Sequence, residues 1–163
     1  MSTNKYMPHV HVLPEDDANR QIANGFLLDQ FLIGRRIQVL EEAGGWNEVL
    51  KRFNSIYAAQ MDQTPTRFMV LVIDFDDDLA RLQFAKNSIP QHLRERVFIL
   101  GILSEPEDLK QELGQQYEAI GLAMAQDCRE GTDSIWAHRL LRHNADEIAR
   151  LRVQVQPILF RTN

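Results

Sequence analysis

Cysteine, positive charge and long apolar runs are all scarce in this chain. Its 163 residues include one cysteine, Cys128, so no internal disulfide can form and no thiolate zinc cage can be assembled. That usage fits a reducing, cytoplasmic setting. No apolar run approaches the ~18 residues of a membrane span, and residues 1–8 are polar, without the apolar core of a signal peptide, so no membrane partner is expected. Lysine and arginine number 18 against 23 aspartates and glutamates, a formal net charge of -5. That balance excludes bulk electrostatic coating of nucleic acid, and any nucleic-acid contact has to be local. Internal repeats, low-complexity segments and a linker that would mark a second domain are absent too.

What is present suits one globular domain spanning residues 1–163, with 44% hydrophobic and 25% charged residues. Charge is unevenly spread: residues 1–128 carry 12 basic against 19 acidic side chains, and residues 129–163 carry 6 against 4. Residues 9–13 (HVHVL) read as a short strand closed by Pro14, and Asp16 or Asp17 can cap a helix reaching about residue 33. A second strand over 36–40 is broken by Gly44-Gly45, a turn, before a helix over about 46–61. Residues 68–73 (FMVLVI) form a continuous apolar run of the kind buried on both faces of a parallel sheet. A helix over about 77–87, an apolar strand over 97–103 and a helix over 105–113 follow. Such alternation predicts an α/β fold, a mainly parallel sheet with helices on both faces. Beyond Gly114 the spacing predicts two amphipathic helices, 117–129 and 134–151, with Asp133 as N-cap of the second. A last edge strand is expected over 153–160.

In an open α/β sheet, ligands bind beyond the carboxyl ends of the strands. Two of those ends are acidic here: Glu15, Asp16 and Asp17 after the first strand, and Asp74, Asp76, Asp77 and Asp78 after the third. Carboxylates about 4 Å apart repel by roughly 4 kcal/mol at an effective dielectric of about 20, so a convergent cluster requires an offset. A hard divalent cation, magnesium or manganese, provides one. In a pleated Asp-x-Asp, alternate side chains point the same way, which would let Asp74 and Asp76 share an ion while Phe75 turns to the core. Asp78 is a further candidate ligand, although Asp77 and Asp78 also suit a helix N-terminus. Helix capping is the competing role for Asp74, Asp76 and, more strongly, Asp16 and Asp17.

A strand ending in Glu15, then helix, strand and helix, then an apolar strand ending in Asp74-Phe75-Asp76, resembles the topoisomerase-primase (Toprim) domain. The resemblance covers about residues 9–113, with residues 114–163 as a C-terminal helical extension. It is closest to stand-alone Toprim-like proteins and the overcoming-lysogenisation-defect nuclease type. The resemblance implies Glu15 as general acid or base, Asp74 and Asp76 as magnesium ligands, and a further acidic group in Glu105, Glu107 and Asp108. It departs where many Toprim sequences place glycine after the glutamate, since Asp16-Asp17-Ala18 stands here.

Two functions are therefore expected as alternatives: a Mg- or Mn-dependent phosphoryl-transfer or nuclease-like protein acting on nucleic-acid phosphodiesters, or a non-catalytic regulatory or interaction module, with a homo-oligomer or protein partner left open. A phosphate-accepting receiver domain lacks a lysine after a fifth strand, and a haloacid-dehalogenase phosphatase would carry its Asp-x-Asp on the first strand. His9 and His11 lack a third ligand, and His138 and His143 are five apart rather than four. Arg139, Arg142, Arg150, Arg152 and Lys110 are candidate phosphate partners, with a solvated helix face as the plainer role.

Overall fold

The computed structural model describes residues 3–162. Four parallel strands, β1 (His9–Pro14), β2 (Ile37–Val39), β3 (Arg67–Val72) and β4 (Val97–Leu100), form one sheet in the order β2-β1-β3-β4. The fold class is the α/β arrangement that the alternation predicted, with every strand pair parallel. The apolar runs of β1 and β3 sit at the centre, where both faces are covered, and Val10, Leu13, Met69 and Leu71 are buried.

The strand order dictates how the helices divide. Helix α1 (Asp17–Phe26) carries the chain from β1 outward to β2. The next two crossovers run the opposite way, through α2 (Trp46–Arg52), a π turn at Phe53–Tyr57 and α3 (Ala58–Gln63), and then through α4 (Ala80–Ser88). Right-handed crossovers therefore place α1 on one face and α2, α3 and α4 on the other. Alone, α1 would leave half of its face bare. Helices α5 (Pro106–Leu113), α6 (Tyr117–Glu130), α7 (Ala145–Gln154) and α8 (Gln156–Leu159) complete that layer, and Ile120, Met124, Ile148, Leu151 and Leu159 share one apolar cluster with Val10, Val70 and Phe98. The expected helical extension is therefore part of the sheet's covering.

Helix α1 ends at Phe26, well before residue 33, and Leu32 instead bridges Phe160. Asp133 does not cap a helix over 134–151. Residues 134–144 fold as turns and a short 3-10 helix at Arg142–Asn144, the expected helix is present only from Ala145, and the carboxylate of Asp127 accepts from the amides of Ile135 and Trp136. The edge strand expected over 153–160 is also absent, since α7 and α8 occupy that stretch. The outer edge of β4 is satisfied by side chains instead: Glu147 accepts from Ile99 N–H at 2.9 Å, and Asn144 accepts from Gly101 N–H and donates to Gly101 C=O. Side-chain groups thus close an edge that would otherwise invite another strand.

Two contacts require glycine. A Cβ on Gly25 of α1 would lie 2.1 Å from the Glu118 carbonyl oxygen of α6, and one on Gly121 of α6 would lie 1.9 Å from that of Ile22. The backbones of α1 and α6 touch directly.

Candidate metal centre

The chain leaves β1 for one edge of the sheet and returns to place β3 on the other side of β1, so the crevice between their carboxyl ends is the topological switch point. Glu15 and Asp16 follow β1, and Asp74 follows β3. One carboxylate oxygen from each of these three residues lies within 4.8 Å of the other two. Two distant chain segments thus meet at one rim.

Local backbone features hold each group. Gly44 and Gly45 adopt φ of 97° and 152°, and their amides donate to the Glu15 carbonyl, which seats the β1 exit against the start of α2. The Glu15 carboxylate accepts from Asp74 N–H at 2.6 Å. Asp16 is the N-cap of α1 and accepts from Asn19 N–H at 2.9 Å, so it combines the capping role with membership of the cluster. Asn19 Nδ2 donates to both Asp16 and Asp74 at 3.0 Å, tying the two segments together.

Asp74 is only 8% exposed, and burial pushes its carboxyl up to about 8, beyond what the Asn19 hydrogen bond restores, with Glu15, Asp16 and Glu107 adding to the rise. Glu15 is also raised, chiefly by burial, against the opposing pull of the Asp74 amide. Among the described residues, none of the three carboxylates forms an ion pair. A group of acids that forms no ion pair, with only Glu15 lowered by the nearby charge of Arg81, held by backbone geometry and destabilised by its own charge, is a donor set that a hard cation fits.

Asp76 does not join them. The pleat that would align it with Asp74 stops at Val72, and Asp76 and Asp77 take left-handed φ of 52° and 60°. The Asp76 side chain turns outward, 79% exposed and 3.9 Å from Arg81. Asp78 accepts from Ala80 N–H in the turn leading to α4 and does not lie in the group of Glu15, Asp16 and Asp74. These two left-handed residues also delay the start of α4 from 77 to Ala80. Glu105 and Glu107 are exposed and Asp108 half-buried around the N-terminus of α5. Glu105 is raised by Glu107 first, then by slight burial and by Asp108, Asp76 and Asp16. These residues form an outer acidic ring, not part of the inner trio.

Sequence reasoning missed Asn19 and Arg81. Arg81 donates to the Asp74 carbonyl at 2.8 Å and lies over the Trp46 ring at 4.5 Å. It is the cation of this rim. Three of the four late arginines are engaged elsewhere: Arg139 pairs with Glu112, Arg150 with Glu147, and Arg152 with Asp133, while Arg142 is exposed. Lys110 lies over the Tyr117 ring. His9 and His11 sit at the opposite end of the sheet. His9 bonds to Arg67 and His11 to Thr3, and burial lowers His11 to about 3. His143 is half-buried and meets the Gly101 carbonyl. No helix among the described residues is long and apolar enough to cross a membrane. Comparison of the chain with protein-family models, curated proteins and solved structures gives no match.

Proposed function

We propose that this rim is a magnesium- or manganese-dependent phosphoryl-transfer centre of the Toprim type, acting on nucleic-acid phosphodiesters through a local contact. The observation that carries the reading is the meeting of Glu15, Asp16 and Asp74 at the switch point with no ion pair among them. Asp74 and Asp16 are the ligands, and Asp76 gives up the role that its spacing suggested. A bound dication supplies charge for a phosphate oxygen and acidifies a water. Glu15, raised by burial and anchored on the Asp74 amide, exchanges a proton with the reacting oxygen. Arg81, fixed by the Asp74 carbonyl and the Trp46 ring, offers positive charge at the mouth.

The test is hydrolysis of single- and double-stranded DNA and RNA with Mg or Mn, comparing the native protein with Asp74→Asn and Glu15→Gln. Loss of cleavage in both, with folding retained, supports the centre; cleavage that survives Asp74→Asn removes it. A second reading, a non-catalytic regulatory or interaction module, draws on Asp16 and Glu15 each spending an oxygen on a backbone amide, as capping groups do. Calorimetry showing no divalent binding, together with no hydrolysis, selects it.

A further inference from the structure

The mouth of the rim has an aromatic flank. The Trp46 amide lies against the Glu15 carboxylate and pulls it down, and the Trp46 ring lies under the Arg81 guanidinium, 4.5 Å from it. Arg81 in turn donates to the Asp74 carbonyl. Phe84, three residues further along α4, meets the Trp46 ring edge to face with centroids 5.8 Å apart. Trp46 and Arg81 therefore touch both acid-bearing segments, and Phe84 continues the stack to the surface.

Core packing does not explain this arrangement. Phe84 is 56% exposed, and Ala85 is the one buried residue of α4. An isolated surface phenylalanine is ordinary. One held against a second ring that carries a guanidinium is a π surface fixed in advance, so less freedom is lost when a flat ring stacks on it. The surrounding charge indicates which ring. Helices α2 and α4 together carry Lys51, Arg52, Arg81 and Lys86 against Glu48 alone, in a chain whose net charge is -5. Arg81 also keeps donors free: its one side-chain hydrogen bond among the described residues is to Asp74, and Asp76 stands 3.9 Å off, beyond hydrogen-bond range. A flat ring tied to an anion is a nucleotide, and a base lies on a protein side chain only where no duplex stack already covers its faces.

We propose that Phe84 and Trp46 form a stacking platform for an unpaired base of a single-stranded nucleic acid, with Arg81 meeting the phosphate that leads into the acidic rim. The proposal rests on the phosphodiester reading of that rim and narrows its substrate to single strands.

The experiment measures binding of the native protein at low salt and without divalent ions, by the anisotropy of a labelled oligothymidylate alone and in duplex with its complement. The single strand is expected to bind about tenfold more tightly, roughly 1.4 kcal/mol and within the worth of one stacked base. Phe84→Ala should remove that preference and Phe84→Tyr should keep it, with the native melting transition retained in both. Equal affinity for the two forms, no binding of either, or an unchanged preference in Phe84→Ala overturns the proposal. So does self-association that Phe84→Ala abolishes while nucleic-acid binding stays as it was, which would make the flank a protein contact. Adding Mg or Mn separates the two readings. Cleavage indifferent to Phe84→Ala leaves the metal centre without the platform, and single-strand preference without cleavage leaves the platform without the metal centre.

Discussion

Asp74 and Asp127 are both buried aspartates, and the protein treats them in opposite ways. Asp127, 3% exposed in α6, pays for its burial with hydrogen bonds: Thr132 Oγ1 and the amides of Ile135 and Trp136 all donate to it. Burial alone would push its carboxyl up, yet those donors outweigh it and hold it below the ordinary carboxylate range. Asp74 receives one side-chain hydrogen bond, faces two further acids, and stands at about 8. One carboxylate organises a loop and the other is left frustrated. Hydrogen bonding stabilises the first, and the second stands at a sheet switch point with a cost that the proposed cation would offset.

The contrast can be broken most sharply at Asp127. Asp127→Ala strands the Ile135 and Trp136 amides and is expected to cost about 4 kcal/mol in urea unfolding, since hydrogen bonds to a charged group are worth about 1.5–3 kcal/mol each. Asp74→Asn should do the reverse and stabilise the protein by about 2 kcal/mol at pH 8.5 without divalent ions. The sign follows from linkage. The native carboxyl titrates near 8 and the unfolded one near the model value of 3.8, so the native state holds an extra proton between these values. The wild-type contribution of this group therefore declines as pH rises from about 4 to about 8. The gain on substitution should vanish near pH 4, and a gain independent of pH would show that Asp74 is not the strained group.

Third in size is the cation itself. Magnesium or manganese at ten times its dissociation constant should stabilise the native protein by about 1.4 kcal/mol. Below pH 8 its binding must displace the Asp74 proton, so apparent affinity should rise up to tenfold per pH unit and then level off; calorimetry in buffers of different ionisation enthalpy reads that proton. Asp74→Asn should abolish the pH dependence, while Asp76→Asn should leave it unchanged. Smallest is Asp77→Gly, which relieves a left-handed residue and should add about 0.5 kcal/mol, read as a small rise in melting temperature.

The Asp74 side of this contrast was legible in the residues alone and the Asp127 side was not, for physical reasons. The apolar runs of β1, β3 and β4 and the acids directly after them define the sheet and bring Glu15 and Asp74 to one rim. Asp76 misled because spacing by two implies a shared face only while the strand lasts, and nothing local signals that the pleat ends at Val72. Asn144, Glu147 and Arg150 look like a solvated helix face until β4 is known to be an edge that needs donors and acceptors. Asn19 and Arg81 are each one polar residue among several on α1 and α4, and only the tertiary arrangement directs them to the rim.

The bare backbone contact at Gly25 and Gly121 bears on how the protein can be cut. Helix α1 begins with Asp16 and presents Asn19, and its position is set by a partner from the last third of the chain. A fragment ending near residue 113 would keep every carboxylate of the rim and lose the surface against which α1 is seated. Trimming the protein to residues 1–113 should therefore dismantle the cluster without removing any of its members.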